Sequence, residues 1–434
     1  TWDNLVDWGG PTPDFDFSHY LDFLRQHNHN FIRLWVQEST RASSKGASFV
    51  SPLPWQRTGP GEGNDGQPKF DLTRFNEEYF KRLRARVMQA SSRGIYVSIM
   101  LFNRFIDWRT HPLNPANNIN GINGDANGDG DGREIHTSTS PEVNAVQLAY
   151  VKKVVGTVND LDNVLFEIGN ELRRETLAWQ YSMIRLIHDY EKQLPKQHPV
   201  GMTSAGGDAH AIANAALLNS RADWVSLRSE PGQDYSYEPP AGDGKKVIIS
   251  DTDHLIGQLG EPTPDWVWKS FLRGLNPILM DVIQNPAPGY KDPWNKPDHP
   301  FLKETRLAMG QTLYYANRID LAKMIPAGKL ASTGYCLANP GFEYLVYLPG
   351  GSHSVESFAT SLSERLGSHL ASLELFARTV SVQLAAGGER FEIEWFNPAT
   401  GKITPDEPTV GRGPRQFTAP FRGDAVLYIR RSLS

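Results

Sequence analysis

Residues 140–172, SPEVNAVQLAYVKKVVGTVNDLDNVLFEIGNEL, hold one helix and one strand, in the order that decides the fold. Ser140-Pro141 starts the helix, since serine caps a free N-terminus and proline suits the first turn. Val143, Val146, Tyr150, Val151, Val154 and Val158 then recur at helical spacing. The apolar run Val164 to Ile168 follows as a short strand. Amphipathic helices alternating with short apolar strands signal parallel βαβ units.

The same alternation extends outward from this stretch. Upstream, Phe31 to Val36 (FIRLWV) reads as a strand, and Phe75 to Arg93 as a helix capped at Asn76 and ended by Gly94. Glu77 and Glu78 suit its first turn, and Phe80, Leu83, Val87 and Ala90 form its apolar stripe. Ile95 to Phe102 is the next strand. Downstream, a helix carries Trp179, Met183, Leu186, Ile187 and Tyr190. Strands follow at Val200 to Thr203, Trp224 to Leu227, Lys246 to Ser250 and Pro277 to Met280, then a closing helix from about Phe301 to Arg318. That makes seven strands, where eight close a barrel. The chain opens where the loop after strand 1 is expected, so this reading leaves strand 1 missing.

From about Lys329 the pattern changes to short strands and turns. Tyr344 to Leu348, Val380 to Leu384, Arg390 to Trp395 and Ala425 to Ile429 are the clearest strands, and Asn397 to Gly401 is a turn. The expected architecture is α/β: a (β/α)8 TIM barrel over residues 1–325, followed by an all-β sandwich over residues 326–434.

Bulk properties narrow the function classes. The 434 residues are 39% hydrophobic and 21% charged, with net charge −5 and no long single-sign runs, which gives no case for nucleic acid or an anionic membrane. No apolar run approaches the roughly 18 residues of a membrane-spanning helix. Cys336, the single cysteine, excludes an internal disulfide and a cysteine-based zinc site. Eleven Trp and fifteen Tyr are many, and Trp55, Trp108, Tyr235, Tyr237, Trp266, Trp268 and Trp294 fall in loop-like segments. Such rings either pin long loops or offer flat faces to sugars.

Barrel sites form at the carboxyl ends of strands, which selects the candidates. Phe166-Glu-Ile-Gly-Asn170-Glu171 ends one strand: Glu171 can protonate a glycosidic oxygen while Asn170 holds the sugar 2-hydroxyl. The alternative is a cap for the following helix. Val247-Ile-Ile-Ser-Asp251-Thr-Asp253-His254 ends another, and either Asp251 or Asp253 can act as nucleophile, with His254 tuning an acid or binding a hydroxyl. Arg33 can orient a carboxylate or form an ion pair within the barrel. Trp35, two residues later, shares its face. His111, Asn118 and Trp294 are further sugar contacts, and Glu230 is a reserve carboxylate. Asp125-Ala-Asn127-Gly-Asp129-Gly-Asp131 matches the start of a calcium loop, although His136 stands where a bidentate glutamate closes such a loop, and a flexible Asn/Asp/Gly loop is the plain alternative.

These residues resemble clan A glycoside hydrolases, in which the acid/base follows strand 4 and the nucleophile strand 7. The opening TWDNLVD, the loop HPLNPANNING, the run SDTDHL and the tail segments VYLP and WFNPATGK are similar to the apiosidase-like branch with its C-terminal collagen-binding-type β domain. The departure is the acid after strand 7, Asp here where Glu is usual. Apiosidases carry Asp after strand 4 and Glu after strand 7, the reverse of this order. The resemblance implies a retaining glycosidase acting on plant or microbial polysaccharide, secreted or periplasmic, with a carbohydrate partner, no required cofactor and a structural Ca2+ at most. Two other readings compete: a carbohydrate-binding protein without turnover, and a metal-dependent hydrolase centred on Asp251, Asp253 and His254.

Overall fold

The computed structural model describes residues 7–8, 15–41, 49–204, 211–252, 263–281, 299–350, 378–385, 387–411 and 413–432. Asp253, His254 and Trp294 lie outside them. The chain divides into two compact units, one holding the residues up to Ser229 and the other most of those from Glu230 onward.

The first unit begins with β1 (Asp7–Trp8), α1 (Phe17–Gln26), β2 (Phe31–Leu34), β3 (Val50–Ser51) and a hairpin of β4 (Trp55–Glu62) with β5 (Pro68–Phe75). It continues through α2 (Glu77–Ser91), β6 (Tyr96–Asn103), α3 (Pro141–Val158), β7 (Val164–Asn170), α4 (Leu177–Glu191), β8 (Val200–Thr203), α5 (Asn214–Leu218) and β9 (Trp224–Ser226). The helices start where local chemistry asks. Asn76 accepts from the Glu78 amide at 3.2 Å, and Ser140 from the Val143 amide at 3.3 Å. Gly94, at φ +72°, ends the turn after α2 in a conformation glycine adopts without strain. Several elements were not anticipated, α1 and the β4–β5 hairpin among them. Asp16 caps α1 by accepting from the His19 amide at 2.9 Å, and the Gly/Pro-rich hairpin is held by burial of Trp55, Phe70 and Leu72.

The second unit contains β10 (Val247–Asp251), α6 (Pro264–Leu272), β11 (Asn276–Ile278) and α7 (Pro300–Ala316). Antiparallel strands follow: β12 (Ile325–Pro326), β13 (Cys336–Asn339), β14 (Glu343–Leu348), β15 (Thr379–Leu384), β16 (Arg390–Asn397), β17 (Lys402–Val410), β18 (Gly413–Thr418) and β19 (Ala425–Arg431). Six of them form a sheet in the order β12-β13-β14-β19-β16-β17, and β15 pairs with β18. Val380, Val382, Leu384 and Phe417 share one core with Tyr344, Val346, Phe391, Trp395 and Leu427, so the two layers make a sandwich. Trp268 of α6 stacks on Tyr347 of β14, and Tyr315 of α7 meets Phe396 edge-on at 5.5 Å.

Trp55, Trp266 and Trp268 correct the loop-aromatic reading, being buried in a strand (Trp55) and in α6 (the other two), whereas Tyr235, buried in a turn, fits the reading of a ring that pins its loop. Proline at the start of α6 and its Thr263 cap look like loop composition, yet both are helix-start signals. Trp108 is half-buried and Tyr237 exposed.

Within the first unit the parallel strands run in the order β9-β8-β7-β6-β2, and within the second β10 pairs in parallel with β11. This is the α/β architecture of a (β/α)8 barrel with seven strands among the described residues, joined by a C-terminal antiparallel β fold.

Candidate active site

The carboxyl end of β7 carries the densest chemistry. Arg33, in β2, grips Glu167 through two bonds: Nε donates to Oε2 at 2.9 Å and Nη2 to Oε1 at 2.6 Å. Nη2 also donates to Asn170 Oδ1 at 2.8 Å. Glu167 is fully buried and the Arg33 side chain keeps 8% exposure, so the planar fork of arginine satisfies a carboxylate that would otherwise be costly to bury. The guanidinium packs over the Trp35 ring at 5.6 Å. Arg33 thus makes the interior ion pair foreseen as one of its two readings.

That grip fixes the direction of the Asn170 amide. Its oxygen faces Arg33, and its nitrogen, buried, has no hydrogen-bond partner among the described residues. An unmet buried donor costs about 1–3 kcal/mol, so it is a place where a ligand acceptor is welcome. Glu171 follows with φ +51°, a left-handed conformation costing about 1–2 kcal/mol in a residue bearing a Cβ. Such outliers collect at functional sites. Gly169 makes the turn possible: a Cβ there would stand 2.6 Å from Leu172 Cδ1 and 3.0 Å from the Phe102 carbonyl oxygen.

A second cluster lies after β2 and was not foreseen. Glu38 accepts from the Asn103 amide at 2.5 Å and bonds His136 Nε2 at 3.1 Å, with His111 Nε2 at 3.7 Å. Burial pushes the Glu38 carboxyl upward, but the charge of His136 and the nearby His111 outweigh it and hold it at about 2. Burial lowers the His111 imidazole despite Glu38 beside it. His136 is braced by Phe102 and Trp179, at ring distances of 5.6 and 5.3 Å. Glu38 therefore ties both ends of the loop after β6 to the end of β2. Its signal in the sequence was its place, two residues beyond FIRLWV, at a strand's carboxyl end.

The remaining candidates fall as follows. Asp251 is the last residue of β10, 2% exposed and in register with Ile278 of β11. Asn118 is buried and gives its amide nitrogen to the carbonyls of Pro112, Asn114 and Ile122, so it orders the loop from inside. His111 is likewise buried, accepting from the Leu113 amide at 3.0 Å. Glu230 is exposed. In the Asp/Asn/Gly loop the carboxylates of Asp125, Asp129 and Glu134 come within 4.8 Å of one another, whereas Asp131 turns to Arg133 at 2.8 Å. Asn127 directs its amide nitrogen at Asp129 and Glu134. Burial, followed by the charges of the three aspartates, raises the Glu134 carboxyl. Asp131, expected beside Asp125 and Asp129, stands outside that group of three carboxylates.

Residues 37–244 match a family model described as a domain of unknown function, DUF6298. No curated protein matches the chain. Among solved structures, the fold is similar to that of a glycoside hydrolase family 5 protein from Bacteroides vulgatus, with 13% identity and a TM-score of 0.57, covering 96% of this chain and 85% of that one. A second structure, named as a glycoside hydrolase, gives 13% identity and a TM-score of 0.55, covering 96% and 89%. These likenesses establish the barrel fold. No helix among the described residues is long and apolar enough to cross a membrane.

Proposed function

We propose that the chain is a glycoside hydrolase, secreted or periplasmic, acting on plant or microbial polysaccharide or oligosaccharide. The observation that carries the reading is the end of β7: Glu171 in a left-handed turn beside Asn170, whose amide oxygen is held by Arg33 while its buried nitrogen awaits an acceptor. In this reading Asn170 donates to the sugar 2-hydroxyl and Glu171 protonates the glycosidic oxygen as the bond breaks. Asp251, with Asp253 as the alternative, attacks the anomeric carbon to give a glycosyl-enzyme. Glu171 then takes a proton from water, which releases the sugar with retained configuration. The strained φ of Glu171 holds its carboxyl ready without reorganisation during the reaction. Asp125, Asp129 and Glu134 would hold a structural Ca2+, which supplies charge neutralisation to the loop and no step of the reaction.

The test is hydrolysis of a panel of oligosaccharides and aryl glycosides by the wild type and Glu171→Gln. On unactivated glycosides the variant is expected to lose about a hundredfold to ten-thousandfold in kcat, and much less on substrates with a nitrophenolate leaving group. Product configuration read by NMR distinguishes retention from inversion. Full turnover by Glu171→Gln on natural linkages, or binding of saccharides with no turnover by the wild type, refutes the proposal.

A further inference from the structure

The three loops that follow β2, β6 and β7 border an open cavity of about 730 Å³, within the size range of small-molecule sites. Five arginines line it: Arg41 from the first loop, Arg104, Arg109 and Arg133 from the second, and Arg173 from the third. Two aspartates oppose them, and both are engaged. Asp131 pairs with Arg133 at 2.8 Å, and Asp107 accepts from the Arg109 amide and the Thr110 hydroxyl. Among the described residues no carboxylate pairs with the guanidinium of Arg41, Arg109 or Arg173, and Arg41 Nε is buried without a hydrogen-bond partner. Five positive charges against two negative, in a chain whose net charge is −5, make this concentration local and not a property of the whole surface.

We propose that this cavity binds an anionic saccharide, one carrying a carboxylate or a sulfate ester. The guanidinium fork matches either group with two parallel hydrogen bonds, which a neutral sugar cannot offer in return. Exposed Phe105 and half-buried Trp108 line the same cavity and add apolar surface beside the guanidinium groups. Leu172 and Arg173 line the cavity and follow Glu171 directly in the chain, which puts the cavity wall one residue from the group assigned as acid/base. The proposal rests on that assignment for the substrate's fate, but not for binding.

The experiment is calorimetric titration of the full chain with oligogalacturonate, a sulfated disaccharide, a neutral cello-oligosaccharide of equal length and inorganic phosphate, at low and high salt. Hydrolysis of the same sugars is followed in parallel. One acidic sugar is expected to bind at least about tenfold more tightly than the neutral one, with affinity falling as salt rises. Tighter binding of oligogalacturonate identifies a carboxylate, and tighter binding of the sulfated sugar a sulfate ester. Arg109→Gln and Arg173→Gln, checked for unchanged thermal unfolding, should each weaken acidic binding about tenfold while leaving the neutral sugar unaffected. Equal affinity for neutral and acidic sugars, phosphate binding as tight as either saccharide, absence of binding, or acidic binding untouched by both substitutions overturns the inference. Acidic binding without hydrolysis keeps it and removes the hydrolase reading, whereas hydrolysis of neutral sugars alone does the reverse.

Discussion

Glu38 shows what one buried carboxylate does for a site it does not itself end in. Its Oε1 receives the Asn103 amide at the end of β6, and both oxygens lie within 3.2 Å of His136. Replacing it by Gln keeps an acceptor but removes the charge that faces the imidazoles. The expected cost is about 2 kcal/mol at neutral pH. Because the folded carboxyl is held at about 2, below its ordinary 4.5, its stabilisation is complete above about pH 4.5 and is lost as pH falls toward 2. Urea unfolding of wild type and Glu38→Gln at pH 7, 4 and 2.5 checks this, and a stability gap that stays constant down to pH 2.5 contradicts it. Sequence reasoning found Asn170 and Glu171 because they follow an apolar run directly. It passed over Glu167 and Glu38 because their partners come from other strands and loops.

At the scale of elements, α2 and α3 were legible because caps and periodicity are written within one helix. The Asn76 and Ser140 caps stand where expected, with the strand ends a residue or two away. The hairpin β4–β5 was not legible, since WQRTGPGE carries turn residues inside a strand and gains its order from outside: the Phe70 amide donates to the Asn117 carbonyl, and Ile119 donates back to Phe70. The loop at residues 125–134 is a third case. The carboxylates of Asp125, Asp129 and Glu134 lie close together, an arrangement of oxygen ligands that a divalent cation would join. Calcium at a hundredfold excess over its dissociation constant is expected to add about 2.7 kcal/mol to stability. Differential scanning calorimetry with calcium and with chelator reads this as a rise in Tm that Glu134→Gln abolishes. An identical Tm in both conditions removes the ion from the account.

At the scale of the molecule, the second unit joins helices to sheet. Trp268 is fully buried, 6.1 Å from Tyr347 at an interplanar angle of 14°, and Arg318, just past the end of α7, holds both oxygens of Glu394 in β16. Large side chains buried in this way contribute about 1.5–3 kcal/mol each. A chain ended after residue 325 leaves Trp268 and Tyr315 without that cover, and it is expected to be insoluble or to lack a cooperative transition. Soluble expression with near-UV circular dichroism tests this. A monomeric 1–325 fragment that unfolds cooperatively would show the β fold to be dispensable.

The alternation of helix and strand, the change to antiparallel strands after Lys329, and the position of Asn170 and Glu171 at a strand end can all be read along the chain. Each is set by neighbours a few residues away, through periodicity, caps and turns. Which residues meet depends on how the chain is folded. Arg33 reaches Asn170 across 137 positions, Glu38 reaches His136 across 98, and the five arginines of the cavity arrive from three separate loops. Burial makes those meetings specific: a charge taken out of water must find its partner wherever the fold has carried it.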